Sequence, residues 1–239
     1  MNPHWRSFLE SAEGLFDGDS TELLSFGDAA GELQAAKQQT VIVPLTHLAL
    51  IEASGEDAKS FLHSQFTSDI NHLGENQGQH TGWCTAKGRM LVSFLFYRPA
   101  AGYRALLSAD LLASTQKRLQ MYVLRAKVSI SDLSATHALI GVAGPDARSA
   151  LARAGLEAPA DAMSSTENAQ GAVLALSSQR FIAVIPANEV ASAWAALTAV
   201  KAGQVYVLPE KYFLLNPGLD YPKAVAYMAR LVYPESAHE

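Results

Sequence analysis

The sequence lacks several features that mark common protein classes. One cysteine, Cys84, stands among the 239 residues, which excludes an internal disulfide. The longest apolar run, MLVSFLFY, has the length of a strand and falls far short of the roughly 18 residues that would indicate a membrane span. Positive charge is not in excess, since the net charge is −5, so the chain lacks the overall basic character of a protein that coats nucleic acid. With no secretory signal at its start, we expect a cytoplasmic protein.

Motifs for catalysis and metal binding are also missing. None of the seven histidines stands in an H-E-x-x-H pattern, and a single cysteine cannot form a C-x-x-C pair. The glycine-rich phosphate loops and the G-x-S-x-G nucleophile motif do not occur either. Cys84 lies three positions before Lys87, which in a strand places the two side chains on opposite faces, so the lysine is not expected to activate the thiol. We therefore assign no catalytic residue and no metal site.

What the sequence does contain is an internal repeat. Residues 49–60 read ALIEASGEDAKS, and residues 138–149 read ALIGVAGPDARS. Both copies run from an apolar stretch through a glycine to an Asp-Ala pair and a serine, which is the pattern of a strand followed by a helix. The repeat therefore predicts two equivalent units in one chain.

The residues around the repeat predict an α+β fold. The stretch TVIVPLTHLALIEASG is rich in β-branched and apolar residues and predicts a strand, and SGEDAKSFLHSQF predicts a helix with Ser54 or Gly55 as its cap and with Glu56 and Asp57 in its first turn. The segments QHTGWCTA and RMLVSFLFYR predict a hairpin. Similar segments follow the second copy and end in a predicted strand, GQVYVLP, so each half is expected to be a strand-helix-strand-strand-helix-strand unit, with one extra strand in the first.

These elements divide the chain into four segments. We expect a helical appendage of two helices over 1–39, a first α+β half over 40–134 and a second over 135–208. A short third segment follows over 209–239. The first helix of the appendage is predicted within HWRSFLESAEGLF, because its apolar residues recur at helical spacing. The second is predicted within residues 27–39, GDAAGELQAAKQQ, which are rich in helix formers.

Four stretches of the sequence resemble one known family. The hairpin WCTAKGRMLVSFLFYR, with DAKSFLHSQFTSDINHL, LIGVAGPDARSAL and YFLLNPGLDYP, is similar to the YgfZ family of folate-binding proteins, relatives of the glycine-cleavage T-protein aminomethyltransferase. The likeness covers about residues 40–234. It implies a duplicated ferredoxin-like βαββαβ core around a central channel that holds tetrahydrofolate. It also implies a role in the maintenance of iron-sulfur enzymes, including enzymes that modify tRNA.

The chain departs from these relatives in two respects. The aminomethyltransferases carry paired aspartates in the strand after the hairpin, where this chain has Val92 and Ser93. Neither residue exchanges a proton near neutral pH, so we expect a protein without catalysis of its own. The YgfZ segment K-G-C-Y-x-G-Q-E and the C-terminal barrel that follows it are expected to be absent, because the sequence stops after VYPESAHE.

The resemblance also points to candidate folate-binding residues. Alternation along a strand places Ser93, Leu95 and Tyr97 on one face, which the family analogy turns toward the channel, and Tyr97 could stack on the pterin. Thr67 and Asp69 follow the first predicted helix, where the rim of the family's pocket would lie. These five residues are the candidate folate site.

Two cations at the hairpin tip form a second candidate site. Lys87 and Arg89 flank Gly88 and could attract the carboxylates of a folate tail or an RNA phosphate. A solvated turn explains the same two residues.

Three functions remain open at this level. The first is a folate-binding accessory protein whose partners are iron-sulfur or tRNA-modifying enzymes, with no membrane association and no direct binding to nucleic acid expected. The second is a scaffold that has lost folate binding, for which a homodimer is expected. The third is a folate-dependent aminomethyltransferase-like enzyme with a relocated acid.

Overall fold

The computed structural model describes residues 2–18, 20, 22–28, 31–32, 35 and 39–198. The strands are β1 Leu15–Phe16, β2 Leu23–Ser25, β3 Val41–Pro44, β4 Leu48–Ser54, β5 Gly78–Cys84, β6 Met90–Tyr97, β7 Tyr103–Ser108, β8 Ser129–Asp132, β9 His137–Ala143, β10 Ser165–Asn168, β11 Gly171–Ser177 and β12 Arg180–Pro186. The helices are α1 Pro3–Ser11, α2 Ala58–Gln65, α3 Leu112–Val123, α4 Ala147–Arg153 and α5 Val190–Thr198, with a 3₁₀ turn at Ala109–Leu111. The strand predicted in GQVYVLP and the segment 209–239 lie outside the described residues.

Two antiparallel five-stranded sheets form the centre of the fold. The first sheet has the order β5-β6-β7-β4-β8, and the second has the order β10-β11-β12-β9-β3. Helices α2 and α3 cover the outer face of the first sheet, and α1, α4 and α5 cover that of the second. A third apolar core fills the space between the inner faces of the sheets. The predicted α+β class and its duplication are confirmed.

Both halves contain an extra strand after the first helix, and the sequence pattern reveals only the one in the first half. After its first helix, each half runs through three consecutive strands, β5-β6-β7 in the first and β10-β11-β12 in the second. The prediction gave the extra strand to the first half only. Strand β10 has the sequence STEN, which is short, polar and at the edge of its sheet, so it carries no alternation of apolar residues from which a strand could be predicted.

The stretch TVIVPLTHLALIEASG is two strands, which corrects the prediction of one. Strand β3 pairs with β9 in the second sheet, whereas β4, three residues later, lies in the first. Strand β8 is exchanged in the opposite direction. It pairs with β4 in the first sheet, and the chain then continues into β9 in the second. The two pairings have equivalent registers, because the first residue of each edge strand lies opposite the last residue of its partner. Val41 lies opposite Ala143, and Ser129 lies opposite Ser54. Each repeat thus begins with an edge strand that lies in the sheet of the other repeat.

The connections between these strands repeat the same hydrogen bonds. The Leu45 N–H donates to the Leu139 carbonyl, and the Leu133 N–H donates to the Leu50 carbonyl, both at 2.9 Å. By sheet membership, residues 41–44 belong with the second half and residues 129–132 with the first. Of these two strands, only residues 41–44 are separated from the rest of their sheet by the predicted division between 134 and 135. The exchange is reciprocal when the second repeat is counted from β8.

The repeated glycine allows this interlocking. Gly55 has φ +117° and Gly144 has φ +123°, and residues other than glycine rarely adopt these backbone angles. A Cβ on Gly55 would lie 2.1 Å from the Lys127 carbonyl oxygen, and one on Gly144 would lie 2.5 Å from the Gln39 carbonyl oxygen. Both carbonyls belong to a residue two positions before an exchanged strand. The glycines are required because the incoming chain passes against them.

The predicted cap of α2 is wrong in its details. The helix begins after Asp57, whose side chain makes no capping hydrogen bond, and no acidic residue lies in the first turn. Instead the Asp57 carboxylate accepts a hydrogen bond from the Lys127 N–H at 2.8 Å. The acid therefore fixes the chain that enters β8.

The N-terminal segment differs from the predicted pair of helices. Helix α1 ends at Ser11, and β1 and β2 follow as a small antiparallel pair. Trp5 packs against Trp194 of α5 at 5.5 Å between ring centroids, so this segment completes the core of the second half. The second predicted helix, within residues 27–39, falls largely outside the described residues. None of the helices in the part of the chain that the structure describes is long and apolar enough to cross a membrane.

Candidate ligand-binding site

The face of β6 that carries Ser93, Leu95 and Tyr97 turns toward the second sheet. Leu95 is 0% exposed and Tyr97 is 1% exposed, and both belong to the apolar core between the sheets. Ser93, nearer the hairpin, is half-buried. The prediction that these three side chains share a face is confirmed. The expected channel beside Leu95 and Tyr97 is filled with side chains within the described residues, because the inner face of the second sheet packs there.

A polar cluster that the sequence analysis missed closes one end of this core. The Arg104 guanidinium donates to a Glu52 carboxylate oxygen at 3.0 Å and to a Glu167 carboxylate oxygen at 2.7 Å, so it joins the two sheets. The charge of Arg104 also bears on His137, whose pKa is lowered chiefly by burial. These residues stand far apart in sequence, and no local motif could have identified them.

Tyr97 reaches toward this cluster. Its hydroxyl is buried and makes no hydrogen bond of normal geometry within the part of the chain that the structure describes. Burial raises the pKa of Tyr97 to about 12, and the nearby Arg104 opposes that rise. The phenol is therefore neutral at physiological pH, and its oxygen is a polar atom buried in the apolar core between the sheets.

Asp69 lines an open cleft of about 490 Å³ at the edge where the two sheets meet. One wall is the loop after α2 and the start of β5, and the other is residues 161–164. The backbone closes the floor, because the Gly78 N–H donates to the Met163 carbonyl at 2.7 Å and the Ser165 N–H donates to the Asn76 carbonyl at 2.8 Å. The cleft is thus built by both halves.

The Asp69 carboxylate is held ionised. It interacts with the His72 ring nitrogen Nδ1 at 2.5 Å and accepts a hydrogen bond from the Asn71 N–H at 2.8 Å. The hydrogen bond to His72 is the main reason that the pKa of Asp69 lies below its ordinary value. His63 lies 3.5 Å from the same carboxylate. The cleft therefore presents a fixed negative charge with two imidazoles beside it.

Two glutamines complete the polar lining of the cleft. The Gln77 side-chain oxygen accepts from the Gly74 N–H, and the Gln79 amide donates to the Ser68 hydroxyl and to the Asp69 carbonyl. These bonds use the oxygen of Gln77 and the NH₂ group of Gln79. Within the described residues the Gln77 NH₂ group and the Gln79 side-chain oxygen have no hydrogen-bond partner, so the cleft offers both a donor and an acceptor beside the carboxylate.

Thr67 lies beside β5, next to the residue of that strand that pairs with Ser93. The Thr67 hydroxyl accepts from the Gly82 N–H at 2.9 Å, and Gly82 lies opposite Ser93 in the pairing of β5 with β6. Thr67 is exposed and Asp69 follows it by two residues. Of the five residues predicted for folate, Thr67, Asp69 and Ser93 therefore have accessible surface.

Lys87 and Arg89 lie at the exposed tip of the hairpin, in the turn between β5 and β6. The extended chain from Gln79 to Thr85, most of which is β5, separates them from the cleft by about 20 Å. A nearer cation is Arg98, whose guanidinium donates to the Leu73 carbonyl at 3.0 Å on the rim of the cleft. The structure therefore does not bring the predicted cations together with Asp69.

Cys84 is a free, half-buried thiol near the same hairpin. Among the described residues, no group of three or more histidine, cysteine, aspartate and glutamate side chains is arranged to hold a metal ion.

Comparison with known proteins places the chain in a family. Residues 15–177 match the family described as the GCVT N-terminal domain. The chain belongs to this family. The match covers the first repeat and most of the second, which are the parts whose sheets interlock.

Individual relatives agree with this membership. The chain is 34% identical over 161 residues to the tRNA-modifying protein YgfZ of Vibrio vulnificus, an alignment that covers 67% of this chain and 48% of the relative. It is 30% identical over 118 residues to the YgfZ protein of Cronobacter sakazakii, covering 49% of this chain and 36% of the relative. The chain thus spans about half the length of the curated relatives it matches. The resemblance to the YgfZ family is confirmed.

A solved structure supports the fold independently of sequence. The crystal structure of the glycine cleavage system aminomethyltransferase T from Bartonella henselae superimposes with a TM-score of 0.73 at 18% identity, covering 86% of this chain and 59% of that chain. At this level of identity the likeness establishes the shared fold of the GCVT domain. It assigns no ligand to the cleft.

Proposed function

We propose that this GCVT-domain protein is a cytoplasmic, tetrahydrofolate-binding accessory protein that serves tRNA modification and does not itself catalyse a reaction. The observation that carries the ligand is the cleft beside Asp69, which both halves build and which combines a fixed carboxylate with free amide atoms. The pterin of folate presents adjacent N–H donors and a ring carbonyl, which a carboxylate and two amides can bind together.

The chain's own residues would divide the work of binding. Asp69 accepts hydrogen bonds from the pterin, Gln77 and Gln79 fix its orientation, and Arg98 pairs with the carboxylates of the tail. Thr67 is exposed beside β5 and does not line the cleft, so it takes no part in this binding. Leu95 and Tyr97 have almost no exposed surface and could reach a ligand only if the two sheets separated. In this proposal they support the wall instead of touching the pterin.

Val92 and Ser93 argue against turnover. Val92 is buried against the helices and Ser93 has no ionisable group near neutral pH, so neither can exchange a proton with a folate nitrogen. The role in tRNA modification rests on the YgfZ relatives named above, and we propose that it is exerted on iron-sulfur enzymes. The nucleoside composition of bulk tRNA, measured with and without this chain in its host, should change at sites made by such enzymes.

Calorimetric titration with 5-formyltetrahydrofolate tests the ligand. We expect Asp69→Ala to weaken binding at least about tenfold, because it removes a charge-assisted acceptor. Asp146→Ala serves as a matched control, since Asp146 is an exposed aspartate at the start of α4, away from the cleft. Equal affinity in the parent and in Asp69→Ala, or no measurable binding at millimolar ligand, would refute the site.

The filled core between the sheets favours a second candidate, a scaffold that no longer binds folate. This function predicts no heat with the folate and a stable dimer in sedimentation velocity. A monomer that does bind the folate would exclude it.

A further inference from the structure

A second groove, separate from the Asp69 cleft, lies between helix α3 and the hairpin end of the first sheet. It has a volume of about 370 Å³ and is lined by Trp83, Leu91, Val92, Leu111, Ser114, Thr115, Lys117, Arg118 and Met121. Its walls are mainly apolar, and its cations come from the exposed side of α3. We propose that this groove docks an acidic amphipathic helix of a partner protein, with an apolar side chain in the groove and carboxylates against the cations.

Exposed apolar side chains lie beside the groove. Met121 is 69% exposed, and Tyr122 and Leu124 continue an exposed stripe at the end of the same helix. Tyr122 lies edge to face with Trp83 at 6.1 Å, which joins this stripe to the wall of the groove. Contiguous exposed apolar surface with a polar rim is typical of an interaction site.

Two features of α3 lower the stability of the protein when no partner is bound. The Thr115 hydroxyl lines the groove, is buried and has no hydrogen-bond partner among the described residues. Leu124 ends the helix at φ +48° with 86% of its side chain exposed. A buried hydroxyl without a partner and a leucine in the left-handed region are both unfavourable. A partner that bonds to Thr115 and covers Leu124 would remove both costs.

The charge around the groove selects the partner. Lys117 and Arg118 lie on it, Arg125 follows the helix, and Lys87 and Arg89 lie just beyond the strands that form its wall. None of these five cations is in an ion pair with another residue in the part of the chain that the structure describes, and Asp110 is the neighbouring acid. A local excess of cations on a chain of net charge −5 favours an acidic partner over a second copy of an already acidic chain.

The apolar walls favour a protein over RNA. Trp83 is buried, so its ring offers no open face on which a base could stack. A helix with apolar side chains three and four residues apart suits such a groove.

The test uses a labelled synthetic helix with a leucine stripe flanked by glutamates, and fluorescence anisotropy against the full chain. We expect saturable binding, at least about tenfold weaker for a matched peptide with lysines in place of the glutamates. Met121→Ser and the double variant Lys117→Glu with Arg118→Glu should each weaken binding about tenfold or more. Leu24→Ser and Arg153→Glu, which alter an exposed leucine and an exposed cation elsewhere, should leave it unchanged.

Thr115→Val and Leu124→Gly separate docking from structure. Each should raise the melting temperature by about 3 °C, because each removes an unfavourable feature, while weakening the acidic peptide several-fold. Stabilisation with unchanged affinity would overturn the proposal. Equal binding of the two peptides, tighter binding of a single-stranded RNA oligomer that Met121→Ser leaves intact, or self-association lost in Met121→Ser would also overturn it.

Discussion

The two repeats of this protein use their shared glycine for the same purpose and their shared aspartate for different purposes. Gly55 and Gly144 each admit the chain that enters an exchanged strand. Asp57 and Asp146 occupy equivalent positions, yet the Asp57 carboxylate binds the Lys127 N–H, whereas at Asp146 the backbone N–H donates to the Thr40 hydroxyl at 2.8 Å. The steric requirement has one solution, glycine. The hydrogen bond has several, so the residues that supply it have diverged.

The inner faces of the sheets differ more strongly. Glu52 and Arg104 lie opposite each other in the first sheet, and the corresponding positions in the second are Gly141 and Ile182. The first repeat therefore supplies charge to the seam where the second supplies apolar surface. The two repeats share the backbone frame, and the Arg104 cluster takes Glu52 and Arg104 from the first repeat and Glu167 from the second.

The largest expected effect comes from the shared glycines. Gly55→Ala and Gly144→Ala should each lower the free energy of unfolding by about 4 kcal/mol, because the new Cβ meets a backbone carbonyl and the backbone is held at positive φ. Gly88→Ala is the control: its φ is +75°, but nothing lies within 4 Å of its Cβ position, so about 1 kcal/mol is expected. Urea denaturation gives all three values. Equal costs at Gly55 and Gly88 would show that the close approach is unimportant.

A smaller effect distinguishes the two strand connections by pH. Burial lowers the pKa of His47 to about 4, while Thr136 occupies the corresponding position before β9. Between pH 6.5 and 4 the unfolded chain binds a proton on His47 that the folded chain does not, so stability falls as pH falls. The loss should approach about 3 kcal/mol at pH 4.

The variant His47→Thr copies the second repeat and should reduce that loss. Other groups that titrate in this window are common to both proteins, so the difference between the two stability curves isolates His47. Parallel curves from pH 7 to pH 4 would contradict the assignment.

The smallest effect tests the divergent aspartates. Asp57→Ala should cost about 1 kcal/mol, because the Lys127 N–H loses its charged acceptor. Asp146→Ala should cost less than about 0.5 kcal/mol, because the hydrogen bond at that position uses the backbone. Thermal denaturation of the pair suffices. A cost at Asp146 equal to that at Asp57 would mean that the two acids still share a role.

The candidate site shows where sequence reasoning reached its limit. Alternation along β6 correctly placed Ser93, Leu95 and Tyr97 on one face, because the period of a strand is local. It could not tell whether that face meets a ligand or another sheet. The family resemblance suggested a ligand, whereas Leu95 and Tyr97 are packed in the core. Gln77, Gln79 and Arg98 carried no signal at all, since each becomes important only through its position beside Asp69.

The sequence by itself determined the elements of this protein: the hairpin, most of the helices, the duplication and the family, all of which follow from short-range patterns of apolar residues and from the repeated glycine motif. Only the tertiary structure decided which sheet each edge strand joins, that the seam between the sheets is filled, and that the open cleft lies at Asp69. These outcomes depend on contacts between residues far apart in the chain. A strand's own residues determine that it is extended and which of its faces is apolar, but the strand beside it is determined by the rest of the fold.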